Sequence, residues 1–265
     1  MSESNPLPLP TPGTQVIDRT VLLLRLLATF RSKGARLTDL ASEADLPPST
    51  AHRILKRLAQ HRLVSQDDSG QCYSLGSLAY ELGLGHGGEA DTVQRHRPLI
   101  ERVVRETGAT GFLLMRSGFD SLCIDRLEPE TPREMSAMTI GDRLPLGVGV
   151  GGMVLLAELP AEEAARVISG NRSVYQRFAR TAGQRLHEDL ARAVADGHVV
   201  RRSPVTPGIV GFGLPLRVGR APADLALSGA LMASEFPPAE RRKILAGVQK
   251  MIAEHLAGHL AAGRA

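Results

Sequence analysis

The chain has 265 residues, which suits two domains better than one. With aromatic residues at 3% and no Trp, Leu, Val and Ala must supply the core. The net charge of +4 is too small to name a partner by itself. Cys72 and Cys123 stand too far apart for a CxxC pattern, which argues against a disulfide framework or a thiolate zinc site. The first residues, MSESNPLPLPTPG, show no charged leader followed by an apolar stretch, and Arg25 interrupts the apolar run Val21 to Leu24. The expectation is a cytoplasmic protein with a disordered Pro-rich arm over residues 1–13.

In chain order, the first periodic segment runs from Thr14 to Arg31, with Val16, Leu23, Leu27 and Phe30 on one helical face. A second helix fits 38–44, with the Thr38 hydroxyl placed to cap it. The turn Asp45-Leu46-Pro47-Pro48 leads into a third helix over 48–61, where a Pro in the first turn is tolerated. Ala51, Ile54, Leu55 and Leu58 form its apolar side; Ser49, Arg53, Lys56 and Gln60 share the opposite one, flanked by Thr50 and Arg57. Residues 63–66 and 71–74 read as short strands around the turn Asp67-Asp68-Ser69-Gly70. Three helices followed by a hairpin make a winged helix-turn-helix over 14–75.

A stripe of Leu75, Leu78, Ala79 and Leu82 marks a linker helix over 76–90. The glycines from Gly83 to Gly88 are expected to end it and to mark the domain boundary. Beyond lie helices at 90–107, 152–158, 160–169, 183–196 and 237–262, and strands at 110–116, 121–127, 198–202, 208–217 and 224–232. The expected class is α+β, with residues 91–265 forming a sensor-like domain.

Charge is concentrated where a DNA-reading helix needs it. Residues 47–64 hold Arg53, Lys56, Arg57 and Arg62, together with His52 and His61, and no acid. Ser49 and Thr50 are small polar groups at the helix start. Arg53, one turn on, can fork onto a guanine edge, while Lys56, Arg57 and Arg62 suit phosphates. Asp67 and Asp68 would repel phosphate at the wing tip, which leaves Arg62 or Gln71 for any wing contact.

Residues 15–90, through LTDLASEADLPPSTAHRILKRLAQHRLVSQDDSGQCYSLGSLAYELG, resemble the DNA-binding domain of the IclR family of bacterial regulators. The LPxST-HR-L helix and the Y-x-LG hairpin end carry the likeness. It continues through TGATGFLL, GDRLPLGVGVGGMVLLAELP and the Gly208 to Pro215 segment. The resemblance implies a GAF/profilin-like effector-binding domain, homodimers that often pair into tetramers, and control of catabolic genes by small metabolites. Dimers imply a roughly palindromic double-stranded operator. The implied effector contacts are Leu146, Gly149, Val150, Gly211 and Ser228. Arg201 stands where many members carry an acid, Gly147 replaces the usual His, Met153 replaces the usual Lys, and Pro204 stands where an acid usually precedes the matching Gly208.

Residue chemistry adds a ligand class. The Gly-rich loop offers backbone N–H groups at a helix N-terminus, and Arg201 or Arg202 can add a charge-assisted bond. A small carboxylate effector is the expectation, aromatic acids included. The alternative function is a nucleotide-dependent enzyme using Gly147 to Gly152, which matches GxGxxG. Its context argues against that, because Pro145 interrupts the preceding segment and no βαβ crossover follows. No GxSxG elbow exists, and no cofactor is expected. His255 and His259 stand at i, i+4 and could share a metal, yet no third ligand is evident and an exposed tail face is the better reading. Cys123 is expected to pack within its strand.

Overall fold

The structure, a computed structural model, describes residues 13–30, 34–86, 88–130, 138–178, 185–204, 206–217 and 221–262. Residues 1–12 of the Pro-rich arm and the start of the helix expected from 183 lie outside them. The chain divides between Glu89 and Ala90 into two units.

The first unit orders α1 (Gln15–Phe30), β1 (Ala35–Arg36), α2 (Leu37–Glu43), α3 (Pro48–Gln60), β2 (Val64–Gln66), β3 (Cys72–Leu75) and α4 (Ser77–His86). The apolar side of α1 is Leu23, Leu26 and Leu27, which pack with Leu40, Leu55, Leu58 and Tyr73. Val16, expected on that face, is exposed, as is Ile17, because the core contacts begin only at Leu22 and Leu23, up to two turns further on. Sequence periodicity misses β1. Its two residues form the third strand of the wing, pairing Ala35 with Tyr73 and Arg36 with Cys72. Gly34 makes this possible: its φ is +63°, and a Cβ there would stand 2.8 Å from the Tyr73 carbonyl oxygen. The bridge also overturns the expected Thr38 cap. Arg36, extended in β1, is the N-cap and leads straight into α2, while the Thr38 hydroxyl donates to Asp39.

The Gly-rich run does not end α4 where expected. The helix passes through Gly83 and Gly85 to His86, and α5 begins at Gly88. Of the expected stripe, Leu75 and Leu82 are 40% and 60% exposed and Leu78 and Ala79 are half-buried, so it is not core of its own unit.

The second unit orders α5 (Gly88–Thr107), β4 (Thr110–Ser117), β5 (Asp120–Leu127), β6 (Arg143–Pro145), α6 (Val150–Ala157), α7 (Ala161–Gly170), α8 (Arg172–Tyr175), α9 (Leu186–Asp196), β7 (Val199–Arg202), β8 (Ile209–Pro215), β9 (Leu225–Met232) and α10 (Pro238–Ala262). The strands form one antiparallel sheet in the order β6-β5-β4-β9-β8-β7. Alternation along each strand feeds two cores. Leu113, Val210, Phe212, Leu214, Leu227 and Leu231 pack under α5 and α10. Phe112, Leu114, Cys123 and Ala226 face the other way, under α6, α7 and α9. Burial pushes the Cys123 thiol up to about 12, which fits packing rather than reactivity. No described helix is long and apolar enough to cross a membrane.

Candidate functional site

The recognition-type face is built by the amphipathic pattern of α3. Ala51, Ile54, Leu55 and Leu58 are buried. That rotation leaves Ser49, His52, Arg53, Lys56 and Arg57 exposed and Thr50 half-buried. Arg57 donates to Gln60 at 2.8 Å along the same helix. Arg62 lies just beyond the helix in the left-handed region, with φ of 59°. Its guanidinium forks onto Glu81 of α4 at 3.2 and 3.3 Å, a pairing that spacing along the chain did not suggest.

The hairpin explains its own motif. Tyr73 is buried in the core. A Cβ on Gly76 would stand 2.2 Å from the Arg62 carbonyl oxygen, so only Gly fits where the chain leaves β3. At the wing tip, Asp67 accepts from the Gln71 and Cys72 amides at 2.8 and 3.0 Å and from the Ser69 hydroxyl. The Cys72 amide bond first, then the Ser69 hydroxyl, lowers its pKa. Asp67 is therefore the acid that shapes the turn.

In the second unit a cavity of about 220 Å³ opens between α6 and the sheet. Phe112, Leu114, Met138, Leu144, Val150 and Ile209 give it apolar walls. Of the expected contacts, Gly149, Val150, Gly211 and Ser228 line it. Ser228 is only 4% exposed, and no hydrogen bond occupies its hydroxyl among the described residues. The first turn of α6 also borders the cavity at Gly149 to Gly152. A helix's first amides have no partner one turn back, so donors lie beside the space.

Two expected contacts lie elsewhere. Leu146 is fully buried and does not line the cavity; its carbonyl accepts from the Tyr175 hydroxyl at 2.6 Å. Burial pushes that phenol up to about 12, so it stays a donor. Arg201 is turned onto the loop before α6. It donates to the Gly147 carbonyl at 2.7 Å, to the Val148 carbonyl, and to Asp189 on α9 at 3.2 Å. Burial lowers its pKa, with Asp189 opposing. It clamps the loop and leaves the cavity to other groups, and Arg202 is exposed at the end of β7. Among the described residues, the cation on the cavity wall is Arg143 of β6, tied to Ser117 at 2.5 Å and Asp120 at 3.4 Å. Ser121, Asp142, Ser203 and Thr206 complete the polar lining. β6 has three residues, too few for a strand signal, which is why sequence reasoning missed Arg143.

The glycines here permit close packing. A Cβ on Gly151 would stand 2.1 Å from Leu114, and one on Gly213 would stand 3.0 Å from the Val150 backbone. The dinucleotide alternative fails on topology: a short edge strand precedes the loop, and every strand pair in the sheet is antiparallel.

Comparison with known proteins agrees with this architecture. The IclR helix-turn-helix domain matches residues 16–68, and the bacterial transcriptional regulator IclR C-terminal domain matches residues 88–255. The HTH-type transcriptional regulator BhcR of Paracoccus denitrificans (strain Pd 1222) is 30% identical over 223 residues, covering 82% of this chain and 78% of that protein. Among solved structures, an IclR regulator from Alicyclobacillus acidocaldarius superposes with a TM-score of 0.70 at 21% identity, over 94% of this chain and 99% of that one. An IclR homologue from Microbacterium hydrocarbonoxydans, solved as a complex with 4-hydroxybenzoate, gives 0.67 at 21% identity, over 92% and 100%. The two IclR family models, which together span most of the chain, and a relative 30% identical over 82% of it place this chain in the IclR family of bacterial transcriptional regulators.

Proposed function

We propose that α3 reads a roughly palindromic operator in the major groove. Ser49, Thr50, His52 and Arg53 meet base edges, and Lys56 and Arg57 meet phosphates. The carrying observation is that the acid-free basic side of α3 is exposed while its apolar side is fully used by the core. Arg62, held by Glu81, braces the wing and reaches phosphate only by releasing that pair. In this reading the winged helix-turn-helix spans 14–75, a linker helix spans 76–90, and residues 91–265 bind effector and mediate assembly. The exposed Tyr80, Leu82 and Leu84 of α4, with Val16 and Ile17 of α1, supply the apolar surface for a homodimer, and dimers pair further into tetramers. The protein works in the cytoplasm on catabolic genes.

The effector we assign to the cavity is a small aromatic carboxylate. Its apolar walls suit a ring; the Ser228 hydroxyl, the first amides of α6 and Arg143 suit the carboxylate. The related protein's complex with 4-hydroxybenzoate supports that class.

Binding to the upstream intergenic region at two salt concentrations tests the first reading. A specific, salt-sensitive complex that Arg53→Ala weakens by about 1–3 kcal/mol is expected. No preference over random DNA, with or without candidate effectors, would sink it. For the effector, a thermal-shift comparison of benzoate-type acids with their neutral amides is decisive: stabilisation by the amides alone removes the carboxylate.

A further inference from the structure

The histidine pair on α10 acquires a third member from another helix. His255 and His259, one turn apart, share a face of α10, and His96 of α5, almost wholly buried, meets them. His96 Nδ1 lies 3.0 Å from His255 Nε2, and His259 Nε2 lies 3.1 Å from that same atom. His259 Nε2 is also 3.2 Å from the Arg95 carbonyl oxygen. The ring centroids are 4.3 to 6.1 Å apart. Among the described residues, no three His, Cys, Asp or Glu side chains are arranged to hold a metal ion.

A carbonyl oxygen only accepts, so His259 must present Nε2–H there. Toward His255 that N–H is met only by a lone pair on Nε2, and His96 Nδ1, 3.0 Å from the same atom, then faces it as a second donor or as an unmet lone pair. A proton on His255 Nε2 leaves two N–H groups, those of His255 and His259, facing each other at 3.1 Å and places an imidazolium among part-buried rings. No carboxylate offsets it among the described residues. Glu101 on α5 is bound by Arg97, as is Asp125 on β5. Glu254 on α10 is bound by Arg102 and flanked by Lys250. The charged group acting on His96 besides its ring neighbours is Arg95, which also opposes a proton.

We propose that His96, His255 and His259 form an acid-sensitive latch between α5 and the C-terminal turns of α10, closed when all three rings are neutral and opened by protonation. Burial first, then the two neighbouring rings, lowers His96 to about 4, and burial followed by His259 lowers His255. The sign follows from linkage. The unfolded chain takes these protons near pH 6.5 and the folded one resists them, so stability is full above 6.5 and falls as pH drops toward 4. For one such imidazole the unfolding constant rises up to about tenfold per pH unit across that window. The latch sits at the helix that follows the linker to the DNA-binding unit, so acid would act on the effector domain away from its cavity.

The test measures urea unfolding of the full chain from pH 7.5 to 5, for wild type, His255→Gln and, as a control on an exposed ring, His187→Gln. The expected result is a steeper acid loss for wild type and His187→Gln than for His255→Gln. Hydrogen-exchange protection, corrected for the slower intrinsic exchange in acid, should fall in residues 252–262 of wild type at pH 5. NMR titration of the wild-type imidazoles keeps the idea falsifiable if a variant fails to fold: one ring should remain neutral at pH 5. Identical pH profiles for wild type and His255→Gln, or all imidazoles titrating near 6.5, overturn the latch. Stabilisation by zinc chloride that His255→Gln abolishes also overturns it, in favour of a metal site.

Discussion

The face of α3 and the wall of the cavity place function differently with respect to the fold. On α3 the residues that build the core, Ala51, Ile54, Leu55 and Leu58, and those offered to solvent, Arg53, Lys56 and Arg57, lie on opposite sides of one helix. Around the cavity the same atoms do both jobs. Leu114 packs the core, contacts Gly151 and lines the space; Val150 opens α6, crowds Gly211 and Gly213, and lines the space too. Binding by α3 should therefore be separable from stability, and binding in the cavity should not.

The largest expected effect breaks the first unit from its core side. Leu55 is fully buried, so Leu55→Ala should cost about 2–5 kcal/mol in urea unfolding of that unit and remove DNA binding with it. In the sensor unit, Gly151→Ala places a methyl against Leu114, a side chain that also lines the cavity. Stability should drop by about 1–3 kcal/mol, and thermal shifts from aromatic acids should shrink in the same variant. A variant that loses one without the other would break the comparison. Arg53→Ala is the counterpart on α3. It should weaken the specific complex as above while moving the unfolding free energy by no more than about 0.5 kcal/mol, and a larger loss would show that the face is structural. Smallest is Glu81→Ala. It removes an exposed ion pair worth about 0–1 kcal/mol and frees Arg62, so DNA affinity should rise slightly at low salt or stay level. A marked fall would assign Glu81 a positioning role at the wing.

Much of the fold was legible beforehand because long elements announce themselves by period. The strands at 110–116, 121–127 and 224–232 and the helix at 237–262 fall within one or two residues of β4, β5, β9 and α10. Short elements did not. β1, β6 and α8 have two, three and four residues, and the two strands exist only because β3 and β5 supply hydrogen-bonding partners. Helix-breaking glycines misled at α4, where propensity is a weak prior.

By itself the sequence determined that a basic, acid-free helix side would face away from an apolar one, because one helical period carries both patterns within a few residues. It also determined that a Gly-rich loop would open a buried helix. The tertiary structure decided which cation meets which group. Arg201 turns onto two loop carbonyls, and Arg143 reaches the cavity because antiparallel pairing with β5 sets the short β6 at the sheet edge. His96 joins a ring 159 residues away for the same reason: contacts set by packing two helices on one sheet leave no periodic trace in the sequence.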